Sequence, residues 1–298
     1  MRVFITGASG WIGSAVTDEV LGAGHQVTGL ARSDASAAAL EAKGADVQRG
    51  DLDDLASLRA GAAGADAVIH LANKHDFGNQ AVSNKAERGA VQALGDALAG
   101  SGRTFVIASG MAGRGIGPIG LEVDASPFHG PDAPRGGSEN LALDYVAKGV
   151  RTVISRFAPT VHGVGDTGFM KVLTEIARDK GFSAYVADGA NRWPAVHRSD
   201  AARLVRLGLE NAEPGAILHA IGQEGVASRT IAEAIGAGLS LPVRSIEAAD
   251  AVGHFGWIGG FFAMDIPASS AQTQASLGWT PTGPTLEEDL AGRWYFDS

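Results

Sequence analysis

Cysteine is absent from the 298 residues, which excludes disulfides, thiolate zinc sites and a cysteine nucleophile. Positive charge is scarce: 24 Lys and Arg stand against 33 Asp and Glu, for a net charge of −9. That sign opposes a polyanion, so no nucleic-acid partner is expected. Hydrophobic residues make up 45% of the chain, enough for a large core. No apolar run reaches the roughly 20 residues that span a bilayer, so no membrane partner is expected. Met1 leads into the first strand without a charged and apolar leader, which points to the cytoplasm. No pair of residues has metal-ligand spacing, and no metal is expected.

What is present begins at once. Arg2-Val3-Phe4-Ile5 reads as a buried strand, followed by Thr6-Gly7-Ala8-Ser9-Gly10-Trp11-Ile12-Gly13, with a glycine at every third position. Glycine is plentiful, 42 residues in all, so a lone triplet says little. Its context says more: an apolar strand precedes it, an amphipathic helix over about Trp11 to Leu21 follows, and a second strand at Val27–Leu30 closes a βαβ unit. Gly7 permits a tight turn, Gly10 lets backbone approach a pyrophosphate, and Gly13 lets the helix lie against the strand. The free amides and positive dipole end of the helix favour an anion there. Residues 7 to 13, including Ala8, Ser9, Trp11 and Ile12, are therefore expected to bind a dinucleotide.

The alternation of strand and helix continues to about residue 160. Strands are expected at Val3–Thr6, Val27–Leu30, Asp46–Gln48, Ala67–Leu71, Thr104–Ala108 and Arg151–Arg156. Helices are expected over Trp11–Leu21, Ala35–Lys43, Leu55–Gly61, Glu87–Leu98 and Ser138–Ala147. This is the pattern of an α/β, doubly wound parallel sheet. A helix at Asp200–Asn211, with Asp200 as its N-cap, and a strand at Ala216–Ala220 return the chain to that sheet. The expected division is a dinucleotide-binding domain at 1–162, with contributions from about 195–222, and a smaller substrate lobe from 163–194 and 223–298. Trp193, Trp257, Trp279 and Trp294 fall in the lobe, where they and Phe255, Phe261 and Phe262 form its core or line an apolar pocket. The Gly- and Pro-rich stretch Gly110–Gly137 reads as a wall of the active site.

The second strand ends Leu30-Ala31-Arg32-Ser33. An acid at its end would hold ribose hydroxyls and favour NAD(H), whereas Arg32, beside Ser33, suits a 2′-phosphate and favours NADP(H). The alternative is that Arg32 is a solvated charge and Asp34 holds the ribose. Asp51 and Leu52 after the third strand, and Leu71, Ala72 and Asn73 after the fourth, lie at strand carboxyl ends where open sheets bind ligands, near adenine and ribose. His70 reads as a structural histidine. His129 reads as a solvent-facing loop residue, and His162 and His197 as packed residues.

TGASGWIG, GDLDD, HLAN, Ser155–Gly163 and Trp193–Ala202 together resemble the extended short-chain dehydrogenase/reductases, of the NAD-dependent epimerase/dehydratase type. Ala275–Pro281 looks like that family's usual ending, so the likeness spans nearly the whole chain. The resemblance implies a Rossmann domain, a substrate lobe toward the carboxyl end, a homodimer through helices of the main sheet, and Phe157, Ala158 and Pro159 beside the nicotinamide. It also implies a Ser or Thr and a Tyr-x-x-x-Lys pair, in which lysine lowers the tyrosine pKa. This chain departs there. Anchored on Ser138 and Ala142, the tyrosine position holds Arg135, the lysine position holds Glu139, and the upstream hydroxyl falls at or beside Gly110, next to Ser109. Tyr145 and Lys148 have the wrong spacing and read as helix-face residues.

The chain thus resembles an atypical member with the cofactor site kept and the proton-donating set changed. The expected activity is NADPH-dependent reduction of a small or medium carbonyl- or imine-type substrate, with Ser109, Arg135, Ser138 or an ordered water stabilising the developing negative charge. Each residue has a plainer reading: Ser109 as a loop cap or ribose contact, Arg135 as a solvated charge, Ser138 as a helix N-cap. A non-catalytic NADP(H) sensor and an epimerase or dehydratase of sugar-nucleotide type are the alternatives.

Overall fold

A computed structural model describes residues 1–76, 78–111 and 118–297 of the chain. The first six strands are β1 (Arg2–Thr6), β2 (Gln26–Ala31), β3 (Asp46–Arg49), β4 (Ala67–His70), β5 (Thr104–Gly110) and β6 (Arg151–Phe157). Next come β7 (Thr160–His162), β8 (Ser183–Val186), β9 (Arg192–His197) and β10 (Ala216–Ala220). One seven-stranded sheet runs β3-β2-β1-β4-β5-β6-β10. Its pairs are parallel, with Val3 registered on Val27 and Ala67. Helices cover both faces, so its central strands read as continuous apolar runs; every residue of Ala67–His70 is buried.

The chain winds outward from β1 to β3, then starts again on the other side at β4. That reversal opens a crevice beyond the carboxyl ends of β1 and β4. The return strand β10 lies beside β6, with Ala220 registered on Phe157, as the sequence led one to expect.

The connecting helices are α1 (Trp11–Gly22), α2 (Asp34–Glu41), α3 (Leu55–Ala63), α4 (Gln80–Leu98) and α5 (Ser138–Asp144), followed by α6 (Phe169–Lys180) and α7 (Arg198–Asn211). Helix α1 buries Gly13, Val16, Thr17 and Val20 on one stripe. The α7 boundary differs from expectation, because His197 caps the helix, accepting from the Ser199 amide at 3.3 Å. Asp200 sits inside the first turn, where its carboxylate receives Thr282 N at 3.0 Å, Gly283 N at 2.7 Å and Arg203 Nη2 at 2.8 Å. Asp200 therefore ties the late chain to the sheet and is not a cap.

A three-stranded sheet joins β7, β9 and a strand at Gln223–Ala227, and strands Ser183–Val186 and Val243–Ile246 form a two-stranded one. A second core gathers Met170, Leu173, Trp193, Phe255, Phe262 and Tyr295 around them. Trp257 is half exposed. Trp279 departs from its expected company: it packs on the core of the main sheet and donates to Asp200 O at 3.1 Å.

Candidate active site

The glycine turn has the shape of a phosphate cradle. Gly7 adopts φ +70°, and a Cβ there would lie 2.7 Å from Ala72 N. At Gly13 a Cβ would meet Gly7 O at 1.9 Å, so strand turn and helix touch backbone to backbone. Gly10 is exposed, and no side chain caps the amino end of α1. A cap would consume the amides that an anion needs. Trp11 closes one side, its indole donating to Val161 O at 2.8 Å, with the Arg198 guanidinium 4.2 Å above the ring. These features fit a dinucleotide diphosphate.

At the far end of β2, Arg32 is exposed and makes no ion pair with a described residue. Ser33 is occupied in a capping box with Ser36 at the start of α2. Asp34, the alternative ribose ligand, pairs with Arg49 at 2.5 Å. Asp51 Oδ1 receives the amides of Asp53 at 2.8 Å and Asp54 at 3.1 Å, fixing the bend before α3, and Leu52 packs against the core beneath it.

The crevice wall beyond β4 and β5 carries two carboxylates, each met by an arginine. Glu87, with no exposed side-chain surface, receives Arg135 Nη2 at 2.7 Å and Asn73 Nδ2 at 3.0 Å. His70 stands behind it, Nε2 at 3.9 Å from Glu87 and Nδ1 at 2.7 Å from the Thr6 hydroxyl. Burial keeps His70 neutral by holding its pKa below the ordinary value. Arg135 is the first of three consecutive left-handed residues, at φ 54°, 61° and 61° with Gly136 and Gly137. For an arginine that backbone is strained. Three contacts hold it: Arg88 donates to Gly136 O at 2.7 Å, Gly136 N to Ala133 O at 2.8 Å, and Ser138 Oγ to Arg135 O.

The second carboxylate is Glu139. It receives the Ser109 hydroxyl at 2.6 Å and Arg156 Nη2 at 2.7 Å, with both members of the ion pair buried. His219 Nδ1 donates to Ser269 O at 2.6 Å, so its Nε2 accepts from Arg156 at 3.3 Å. Arg156 also donates to Asp124 O at 2.7 Å, joining the wall loop to the sheet.

The structure thus brings Arg135 and Asn73 into one network and Ser109 into another at neighbouring strand ends. The Ser138 hydroxyl bonds the backbone of Arg135 and neither carboxylate. Gly137, left-handed and without a side chain, occupies the cap position of α5, and the bend points the Ser138 hydroxyl back at Arg135 O rather than forward along the helix. Of the wall Gly110–Gly137, residues 112–117 lie outside the described residues. The Tyr145 hydroxyl points away, donating to Asp96 Oδ1 at 2.6 Å, and Lys148 lies over its ring, not beside its oxygen. Phe157 and Ala158 are buried at the end of β6, with Phe157 O receiving Met111 N at 3.2 Å. His129 is exposed, His162 donates from Nδ1 to Asp289 at 2.6 Å, and His162 and His197 pack edge to face.

Sequence reasoning missed Glu87, Glu139 and Arg156 as partners. A signal existed for two of them: Glu87 interrupts the apolar stripe of Ala90, Val91 and Leu94, and Arg156 interrupts a buried strand.

A model of the NAD dependent epimerase/dehydratase family matches residues 3–222. The chain belongs to that family. Among its relatives, an uncharacterised protein of Schizosaccharomyces pombe is 43% identical over 297 residues, covering 99% of this chain and 100% of its own. One from Saccharomyces cerevisiae is 42% identical over 296 residues, covering 99% of each. A ketoreductase of Stigmatella aurantiaca, named for a farnesylated dihydroquinoline oxide, is 31% identical over 194 residues, 61% of this chain and 57% of its own. The dTDP-glucose 4,6-dehydratase DesIV of Streptomyces venezuelae, solved with NAD, superimposes with a TM-score of 0.77 at 23% identity, covering 99% and 97%. That likeness establishes the Rossmann-type fold of the epimerase/dehydratase family here.

Proposed function

We propose that the protein is an NADP(H)-dependent reductase of a small or medium carbonyl- or imine-type substrate, with Arg135 as the group that meets the reacting oxygen or nitrogen. The observation that carries this reading is the Arg135 guanidinium, locked by Glu87 in a strained turn at the edge of the dinucleotide crevice. A strained residue persists where its surroundings over-determine it, and such places cluster at functional sites. The reduced coenzyme, when bound, supplies hydride to the electrophilic carbon. Arg135 bonds the substrate oxygen as negative charge grows there, and Glu87 fixes the direction of the guanidinium in advance. Ser109 is a poorer donor, because its proton is given to Glu139, which is also paired with Arg156.

For the coenzyme, Arg32 supports the phosphorylated form, since its guanidinium is available for a 2′-phosphate while Asp34 is engaged by Arg49. Names among the relatives agree with reduction: besides the ketoreductase, a 2-alkyl-3-oxoalkanoate reductase of Stenotrophomonas maltophilia is 28% identical over 228 residues. Incubation with NADPH and a panel of aldehydes, ketones and imines, following nicotinamide absorbance, tests the reading. Turnover of at least one compound is expected. Tight coenzyme binding with no turnover on any of them would contradict it.

A further inference from the structure

A phenol beside a lysine does two jobs for a carbonyl: it stabilises the oxyanion and then gives it a proton. Arginine does only the first, because a guanidinium does not release a proton in the physiological range. The reduction assigned to Arg135 therefore leaves a proton to be found. Ser109 gives its own to Glu139. His70 is fully buried behind Glu87.

Among the described residues, a further titratable side chain stands next to this network in the chain. His75 lies two residues past Asn73, and its backbone N–H donates to Asn73 Oδ1 at 2.8 Å. Asn73 Nδ2 donates to Glu87 Oε2 at 3.0 Å, and Arg135 Nη2 donates to Glu87 Oε1 at 2.7 Å. A continuous hydrogen-bonded chain thus links the backbone of His75 to the head of Arg135. Both ends carry backbone strain: His75 has φ 50° and Arg135 φ 54°, two of the four non-glycine residues with positive φ among the described residues. Coincidence of strain at the two ends of one polar network argues that both are held for a shared task.

We propose that His75 is the proton donor of the reaction, a catalytic residue acting beside Arg135 in place of the missing tyrosine. This rests on the reductase reading above. As the new C–H bond forms with the two electrons of the reduced nicotinamide, the carbonyl π pair moves onto oxygen, opposite Arg135. The oxygen then forms an O–H bond while a ring N–H bond of protonated His75 breaks, and the neutral imidazole regains a proton from water. His75 keeps part of its surface in solvent, which gives that water access.

The charges around His75 set the pH dependence. On its own loop, Lys74 is held by Asp53 at 2.7 Å, and Asp76 Oδ1 receives the amides of Gly78 and Asn79. From α4 comes Glu87, and from the turn before α5 comes Arg135. Partial enclosure and then Arg135 push the imidazole below its ordinary pKa, and Glu87 acts the other way. Reduction, which needs the protonated ring, should speed up as pH falls through that lowered value and then level off. Oxidation of the product alcohol should show the opposite slope.

The test compares wild type with His75→Gln, using NADPH and a carbonyl compound that wild type reduces, and follows the His75 ring by NMR titration in wild type and in Arg135→Gln. The variant is expected to bind NADPH as wild type does, to lose about 10²-fold in rate at the low-pH plateau and to lose the pH dependence. Removing the guanidinium should raise the His75 titration. An unchanged rate and profile in His75→Gln, or a His75 titration indifferent to Arg135→Gln, would overturn the proposal while leaving the reductase reading standing. Wild type that binds NADPH and reduces nothing would overturn both, and is recognised because the unmodified protein itself is silent.

Discussion

On the proposed reading, Arg135 and Arg32 divide the work that a guanidinium can do, one against a developing charge and one against a fixed one. Arg135→Gln keeps a donor but loses the charge and the grip of Glu87, which would stand buried without its cation. Turnover is expected to fall by about 10²–10³, the loss typical of removing an oxyanion donor, with NADPH affinity unchanged in calorimetry. An equal loss of coenzyme binding would place Arg135 elsewhere. For Arg32→Ala, NADPH should weaken far more than NADH, because only the former carries the 2′-phosphate; equal weakening would defeat the assignment. Arg156 has a different role. It is fully buried and paired with Glu139, so Arg156→Met strands a carboxylate in the interior and should cost about 3–5 kcal/mol in denaturant unfolding.

At the level of elements, the turn between β1 and α1 offers a paired test. Gly13→Ala puts a methyl 1.9 Å from Gly7 O, so strand and helix must separate, at a cost of about 1–3 kcal/mol or more. Gly10→Ala meets only Gly7 O, at 3.2 Å, and puts a poorer N-cap before α1, so it should cost about 1 kcal/mol, less than Gly13→Ala, while dinucleotide affinity is lost. Thermal melts beside coenzyme titrations separate the two outcomes. This turn was legible because its chemistry is local: strand, three glycines and helix follow one another within thirteen residues. The sheet was legible for a similar reason, since buried parallel strands are apolar throughout, and even the return of Ala216–Ala220 could be read. The polar networks were not. Arg135 meets Glu87 across 48 positions and Arg156 meets Glu139 across 17, pairings that only tertiary packing creates. The N-cap reading of Ser138 fails because three left-handed residues before α5 reverse the direction of its hydroxyl, and single residue types do not announce such a run. Asp200 looked like a cap because its partners, Thr282 and Gly283, come 82 and 83 residues later.

Across the whole molecule, burial of histidines couples stability to pH. His70 and His162 are both held below the ordinary value, first by burial, and so remain neutral in the fold. Unfolding lets them return to about 6.5 and bind protons. Their contribution is therefore present above that value and is lost as pH falls below it. Thermal melts from about pH 7.5 to about pH 5 should show a falling midpoint, and a flat or rising one would contradict the placement. Asp166, raised by burial, acts in the opposite sense but over the lower carboxylate range. For the crevice as a whole we propose that amides of the Gly7–Gly13 turn seize a diphosphate and that Arg32 selects the coenzyme bearing a further phosphate. Isothermal calorimetry of the folded protein with NADPH and with NADH tests it most directly. Saturable uptake of one coenzyme per chain, tighter for NADPH, is the predicted result; no binding of either would contradict the account.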